Sequence, residues 1–577
     1  MKFAQVAQLF DELEIISSRL EMTELLSRIF KQTTAQEAQI ISYLSLGELK
    51  PPYIGTKFQL AEKNLTKVVA RLLGSSEEQV KQQMQHYGDL GSVVMLGSWQ
   101  TAQEPTLVDV YQALEAIEQV HGTGAQERKL ELVYTLLSHL NQVGAKYVIR
   151  ILIGALRLGF SDMTVIDALS WMLVGNKSVR GVVEDAYNIC ADIGRIAFVA
   201  KEHGLEGLRA MRIVVGIPIR PAAAERMPTA AAIIEKLGSC VAQPKLDGFR
   251  LQIHLDKTQN PALIKFFSRN LIDMSAMFPD IVHALQTLPV DTLICEGEAI
   301  AYDPNTGHFV PFQETVKRKR KHGIEQLAED LPLQVFIFDV LYLNGENLMG
   351  LTHEQRRQKT EELFKGYANL TLKAIDEVFV QTPRELEHYF LTNIETGLEG
   401  VVVKKRDSIY QPGKRNFNWI KLKRQEEGHL DDTIDCVVLG YYYGQGKRAQ
   451  FGIGAFLVGL YNKERDLFQT VAKIGTGLTD EEWIDLKKQC DTRKAAECPH
   501  NVECAKELFP DVWTYPEIVV QVRADEITIS PLHTAGKTAE HAGYALRFPR
   551  IMGYRPDKAA TDATTIDELK TLFNEQR

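Results

Sequence analysis

Lys245 sits in the stretch Gln243-Pro-Lys-Leu-Asp-Gly-Phe-Arg250, two residues before Asp247 and five before Arg250. A lysine is a nucleophile only as the neutral amine. Its ordinary pKa of roughly 10.4 has to fall, and burial or neighbouring positive charge does that. Arg250 and a bound metal could supply the charge. Two further stretches carry chemistry. In Leu293-Ile-Cys-Glu-Gly-Glu-Ala-Ile-Ala-Tyr302 the carboxylates Glu296 and Glu298 share one strand face with Ile300. Two carboxylates on an apolar strand are costly unless cations satisfy them, and magnesium with a sugar hydroxyl would do so. In Lys414-Arg-Asn-Phe-Asn-Trp-Ile-Lys-Leu-Lys423, Lys421 and Lys423 fall on one strand face. Alone, each feature has a bland reading: a solvated turn lysine, a strand of paired charges, a solvated strand face.

The elements that must position these residues follow from periodicity. Val241 and Ala242 lead into Lys245, Asp247-Gly248 is a hairpin turn signal, and Phe249, Leu251 and Ile253 alternate with Arg250, Gln252 and His254. Leu333 to Tyr342 reads as a buried strand closed by Asn344-Gly345, and Gly397 to Lys404 as a strand with the acidic head Glu399. Residues 1–215 are helical in pattern. Phe3, Val6, Leu9, Phe10 and Leu13 recur at helical spacing, and further helices are expected over Leu107–Val120, Arg128–Leu140, Lys146–Leu158 and Val165–Val174. Gly216-Ile-Pro-Ile-Arg-Pro221 reads as a linker, with a helix expected from Ala222 to Leu237. After Asp431 the chain turns to short strands with glycine-rich turns, which suits a small barrel.

At 577 residues the chain has room for three or four domains. Its seven cysteines are odd in number and scattered, which fits a reducing compartment. Cys498-Pro-His500 with Cys504 has no paired-knuckle zinc spacing. The opening residues lack the apolar core of a secretory leader, and no apolar run approaches the roughly 20 residues that span a bilayer. A cytoplasmic protein is expected. A net charge of −9 excludes a uniformly basic nucleic-acid binder; cations for DNA would have to be segregated on one surface. Lys317-Arg-Lys-Arg-Lys321 reads as a phosphate-facing or solvated run rather than a nuclear localisation signal.

Lys-x-Asp-Gly-x-Arg resembles the adenylation motif of the covalent nucleotidyltransferases, and the whole chain resembles the archaeal and eukaryotic replicative type of ATP-dependent DNA ligase. Phe266-Phe-Ser-Arg-Asn270, Glu298, Phe338 in Phe-Asp-Val-Leu-Tyr-Leu-Asn-Gly, Glu399, Lys421 with Lys423, and Leu546-Arg-Phe-Pro-Arg550 follow in the family's order. The helical start, Gly88-Asp-Leu-Gly91 and the segment Tyr147 to Gly159 look like its DNA-binding domain. Gly444-Gln-Gly-Lys-Arg448 and Lys473-Ile-Gly-Thr-Gly477 repeat its wording near the end.

The resemblance implies a multidomain α+β fold: a helical DNA-binding domain (1–215), an adenylation domain of antiparallel sheets flanked by helices (216–430), and a C-terminal OB-fold barrel (431–577). It implies Lys245 as the catalytic lysine. It implies nucleotide contacts from Gln243, Arg250, Arg269, Glu298, Phe338, Val402, Arg415, Lys421 and Lys423. Phe338 would stack on adenine with Val402 as the other wall. Glu298 and Glu399 would hold Mg2+ or Mn2+, with Glu296 behind them, and Arg547 and Arg550 would grip the departing pyrophosphate. Lys146, Arg150 and Arg157 could meet DNA phosphates. ATP is the implied co-substrate, nicked duplex DNA the partner, and a monomer the expected state. A hinge near Gly428 would let the last domain swing. One departure stands out: the family often has glutamate where this chain has Gln243, two residues before the lysine. An amide can still accept from adenine's amino group. An RNA ligase or capping enzyme is not expected to carry so long a helical start. A NAD-dependent ligase would bring helix-hairpin-helix elements or paired zinc cysteines. A catalytically silent nick-binding clamp would take up no AMP. A sliding clamp is a partner by family, although no Gln-x-x-aliphatic-x-x-aromatic-aromatic peptide is found.

Overall fold

The computed structural model describes the chain except residues 100, 102–103, 157, 303–308, 311–314, 316–330, 368, 370, 397, 424–432, 445–447, 449–450, 539 and 576–577. Arg157, the Lys317–Lys321 run and the expected hinge at Gly428 therefore lie outside the described residues. Two compact units emerge. One comprises Met1–Val68 and Trp99–Arg424, the other Val69–Ser98 and Gln425–Arg577.

The first unit begins with helices. Phe3–Ile15 buries Phe3, Val6, Leu9, Phe10 and Leu13, the stripe read from the sequence. Local chemistry sets the ends. Thr34 and Glu37 form a reciprocal capping box at Ala35–Leu44, as do Thr106 and Asp109 at Leu107–Gln119. Asn141 caps Gln142–Ile153, and Gly154, at φ 72°, stops it. The helix expected over Lys146–Leu158 is thus shifted toward the N-terminus, because glycine takes up the left-handed exit at no steric cost. On that helix Lys146 pairs with Asp11 and Glu14 at 2.7 Å, and Arg150 pairs with Glu14 at 2.8 Å. Both cations are buried, so the expectation that they meet DNA phosphates is corrected. They tie this helix to Phe3–Ile15.

Two sheets follow. Their strands are β1 (Ala223–Arg226), β2 (Cys240–Lys245), β3 (Phe249–Asp256), β4 (Leu263–Ser268), β5 (Thr292–Ala301), β6 (Leu333–Leu343), β7 (Glu346–Asn347), β8 (Leu372–Ala374), β9 (Val378–Val380), β10 (Gly400–Lys404) and β11 (Arg415–Lys423). One sheet runs β1-β11-β10-β2-β9; the other runs β4-β3-β5-β6-β7, with β8 on β6. Two sequence expectations change here. Strands β2 and β3 do flank Asp247-Gly248 but do not form a hairpin. β2 pairs with β10 and β9, β3 with β4 and β5, so the turn carries the chain from one sheet to the other. The expected helix Ala222–Leu237 is instead β1, paired in parallel with β11, then a helix Ala230–Leu237 capped by Thr229. Pro228 disfavours helix in the residue before it, which separates the two.

In the second unit the short helices Glu77–Tyr87 and Leu90–Met95 accompany a C-terminal sheet system. Its long strands are β12 (Ile434–Tyr442), β13 (Ala455–Asn462) and β14 (Leu467–Ile474), paired in that order. β12 divides its other edge between Val512–Thr514 and Val519–Arg523, and the latter pairs with Arg550–Tyr554. Val438, Phe456, Trp483, Val520 and Leu569 lie in its core. All seven cysteines are free. No described helix is long and apolar enough to cross a membrane.

Candidate active site

The two sheets of the first unit use strand alternation to sort apolar from polar residues. Cys240, Ala242, Val401, Val403, Ile420 and Leu422 pack into one core with residues of the helices Ala230–Leu237 and Pro383–Glu395. The residues of opposite parity, Gln243, Lys245, Val402, Lys404, Trp419, Lys421 and Lys423, line a cavity of about 480 Å³. In the second sheet Leu251, Ile253, Leu293, Cys295, Val335 and Ile337 form a separate core. Their alternates Arg250, Glu298 and Phe338 line the same cavity. Period two therefore builds the cavity from both sides.

Lys245 ends β2 and donates to Glu399, whose Oε2 also takes Lys423 at 3.0 Å. Burial pushes the Glu399 carboxyl up, but Lys245 and Lys423 outweigh it and hold it below the ordinary carboxylate value. Two glycines permit this geometry. Gly400, at φ +140°, has no room for a Cβ, which would lie 2.3 Å from the Leu422 carbonyl oxygen. At Gly248 a Cβ would lie 2.3 Å from the Ala299 carbonyl oxygen. That close approach lets the Gly248 N–H donate to Glu298 Oε1 at 3.2 Å. Burial raises Glu298 to about 7 even though Lys245 and Arg250 pull against it.

Arg250 donates to both oxygens of Glu296, at 3.1 and 3.0 Å, and Glu296 also accepts from Tyr410 Oη at 2.9 Å. Glu296 thus stands behind the cavity, holding Arg250, while Glu298 faces it. Arg269 and Lys421 line the wall. Burial lowers Lys421 first, and Lys423, Arg415, Arg269 and Lys245 lower it further. Phe338 and Val402 enter from opposite sheets. Arg415 starts β11 and is not part of the lining, though its charge is felt at Lys421. In the second unit, Arg547 pairs with Glu526, and Arg550 with Asp525 at 2.7 Å.

Sequence reasoning missed three groups in and behind this wall. Lys404 is fully buried, donates to the Phe338 carbonyl at 2.8 Å, and lies 4.3 Å from the Trp419 ring centroid and 5.1 Å from that of Phe338. Burial brings it down to about 8. Glu377 accepts from Gln243 Nε2 at 2.7 Å and meets His353 Nε2 at 2.8 Å. The parity of Lys404 with Val402 was the available signal. Glu377 and His353 offered none, being more than a hundred residues from Gln243. No group of three or more His, Cys, Asp or Glu among the described residues could hold a metal by itself. Glu298 and Glu399 are the cavity carboxylates that could hold a magnesium ion together with substrate phosphates, which would supply the rest of the ligands. The raised Glu298 marks a carboxyl short of positive charge.

Sheets closing on a lysine-bearing cavity make the middle of the chain a nucleotidyltransferase domain. Residues 221–423 match the ATP dependent DNA ligase domain, residues 2–170 the DNA ligase N terminus, and residues 449–558 the ATP dependent DNA ligase C terminal region. The chain is 44% identical over 579 residues to a "Probable DNA ligase" of Dictyoglomus thermophilum, covering 100% of this chain and 98% of that one. It is 36% identical over 584 residues to "DNA ligase 1" of Methanosarcina acetivorans, covering 99% of each. Among solved structures, "Pmar-Lig_PreS3" shares the fold with a TM-score of 0.55 at 16% identity, over 95% of this chain and 99% of that one. The chain belongs to the ATP-dependent DNA ligases.

Proposed function

We propose that this ligase seals nicks in duplex DNA through an adenylate carried on Lys245. The observation that carries the reading is the convergence of one lysine with Glu298, Glu399, Lys421 and Lys423 on a cavity that Phe338 and Val402 also line. A purine fits between an aromatic ring and a valine, and phosphates suit the lysine cluster.

In the first step Lys245 Nζ, deprotonated, attacks the α-phosphorus of ATP. A P–N bond forms, the bond to the β-phosphate oxygen breaks, and pyrophosphate leaves. Arg547 and Arg550 stabilise that leaving group after giving up Glu526 and Asp525. In the second step a DNA 5′-phosphate oxygen takes the AMP and the P–N bond breaks. In the third the 3′-hydroxyl attacks the 5′-phosphorus and AMP departs. Lys421 and Lys423 spread negative charge at each phosphoryl centre. Glu298 and Glu399 would hold a divalent cation, which supplies Lewis-acid charge at the phosphates. Arg250 and Arg269 complete the nucleotide contacts, and Arg415 adds positive charge beside Lys421. Sealing nicks places the enzyme in DNA replication, repair and recombination. The domain boundaries at 215/216 and 430/431, and a barrel of OB type at the C-terminus, belong to the same reading.

The test uses the full chain with ATP labelled at the α-phosphate, then nicked duplex. Label should appear on the protein, be absent from Lys245→Ala, and pass to DNA before AMP is released. Sealing by Lys245→Ala at the unmodified rate would refute the reading. A nicked RNA duplex in the same gel separates a DNA ligase from an RNA ligase.

A further inference from the structure

We infer that Glu377 is a positioning residue that fixes the amide of Gln243 in one orientation and so makes the cavity select a 6-amino purine over a 6-oxo purine. The inference rests on the nucleotide occupying the Lys245 cavity as proposed above. Gln243 is 1% exposed and lines that cavity, paired across the sheet with Val402. An amide side chain can turn either its oxygen or its NH2 toward a ligand, and in isolation it reads neither kind of purine well.

Here the ambiguity is removed. Gln243 Nε2 donates to Glu377 Oε2 at 2.7 Å. A carboxylate only accepts, so the flipped amide would set oxygen against oxygen. Glu377 is itself held as the anion. Burial would raise its carboxyl, but the hydrogen bond from His353 and the charges of Lys404 and Arg357 lower it overall. His353 is buried, its Nδ1 meets no partner among the described residues, and burial lowers its pKa despite Glu377. It is therefore the neutral tautomer that donates from Nε2 to the same oxygen, at 2.8 Å. The chain His353–Glu377–Gln243 leaves Gln243 Oε1 as the group turned away from the carboxylate. No described residue donates to it. A 6-amino group satisfies that acceptor; a 6-oxo group meets it with a second acceptor, and a buried polar mismatch is rejected strongly. The carboxylate that the family often carries two residues before the lysine is thus replaced by an amide whose direction a distant carboxylate sets.

The experiment measures lysyl-nucleotide formation by intact mass on the full chain, with ATP and ITP in separate incubations, and compares kcat/KM for the two. ITP differs at the 6-position without adding a 2-amino group. The unmodified protein should strongly prefer ATP. Glu377→Gln lets two amides pair in either sense, with His353 Nε2 donating to the new amide oxygen in one and, in the other tautomer, accepting from its NH2, so the ATP/ITP ratio should fall by about tenfold or more. The exchanged pair Gln243→Glu with Glu377→Gln again offers one carboxylate and one amide, with an acceptor facing the base, and should restore the ratio to within about threefold. A residue that only supports the fold would lower both rates together and leave the ratio fixed. An unmodified protein that uses ITP as well as ATP would overturn the inference. So would a single variant with the original ratio, or an exchanged pair with the ratio of the single variant. Should Glu377→Gln not fold, the exchanged pair decides alone, because its ratio must still favour ATP. No adduct from the unmodified protein with either nucleotide would instead overturn the assignment of Lys245, and this inference with it.

Discussion

Glu298→Gln should stabilise the nucleotide-free, metal-free protein above neutral pH while abolishing its adenylation. Burial raises the Glu298 carboxyl from 4.5 to about 7. Below pH 4.5 it is protonated in both folded and unfolded chains and neither form is favoured further by pH. Between 4.5 and 7 the folded state keeps a proton that the unfolded state has released, so stability falls as pH rises. Above 7 the whole of that stabilisation is gone and the fold carries a buried anion. The interval of 2.5 units corresponds to a ceiling of about 3 kcal/mol, and the side chain's partial opening to the cavity brings the expected effect to about 1–2 kcal/mol. Glutamine keeps an oxygen for the Gly248 N–H and has no charge to bury. The assay is thermal unfolding of both proteins at pH 5 and pH 8, beside lysyl-AMP formation at pH 8. The variant should gain at pH 8, gain little at pH 5, and form no adduct. Equal destabilisation at both pH values would refute the account of Glu298 as a carboxyl waiting for a cation.

Three other outcomes can be measured directly. Lys404→Met should raise KM for ATP about three- to tenfold with a smaller change in kcat, because the Phe338 carbonyl and ring lose their cation. The folded Lys404 titrates at about 8, below its unfolded value, so the unmodified protein should gain stability relative to Lys404→Met as pH rises from 8 toward 10; paired melts at the two pH values check this. Arg356 holds Asp339 through two hydrogen bonds, at 2.7 and 3.0 Å, with both residues buried. Arg356→Met should cost about 3–5 kcal/mol in denaturant unfolding, and adding Asp339→Leu should recover much of it, since the second change removes the stranded charge.

What could be read from the chain was whatever a single strand or helix decides for itself. The parity of Lys245, Glu298, Phe338, Lys421 and Lys423 is a local property, and each side chain faces where period two puts it. The failures share one cause: pairing across sequence distance. Asp247-Gly248 has the composition of a hairpin turn, yet β2 and β3 find their partners at β9, β10, β4 and β5. Ala222 to Arg226 has nothing against helix until β11 arrives to pair with it, and only Pro228 hinted at the break. Lys146 and Arg150 look like free cations until Asp11 and Glu14 are folded against them. Glu377 and His353 lie in unremarkable surroundings, and their use appears only when β9 is laid beside β2.

The same distinction decides how the two carboxylates of the cavity divide their work. Glu298 and Glu399 face one cavity, but their environments push them in opposite directions, Glu298 up to about 7 and Glu399 down. The cause is which cations reach them: Glu399 has contacts from both Lys245 and Lys423, whereas Glu298 has one backbone N–H. Glu399→Gln should therefore do the reverse of Glu298→Gln. A depressed carboxyl contributes stability that is present above its unfolded value of 4.5 and disappears as pH falls through the lowered folded value. The glutamine variant should be less stable than the unmodified protein at pH 8, and the gap should close in acid. Added triphosphate should narrow the gap as well, because the phosphates give Lys245, Lys421 and Lys423 the anionic partner that Glu399 had supplied. Thermal unfolding at pH 8 and at pH values stepped down from 4.5 through the lowered folded value, with and without ATP under chelator, reads all three. If both variants shift in the same direction at pH 8, the cavity does not separate its carboxylates by charge, and the assignment of one as resting partner of the lysines and the other as open cation ligand fails.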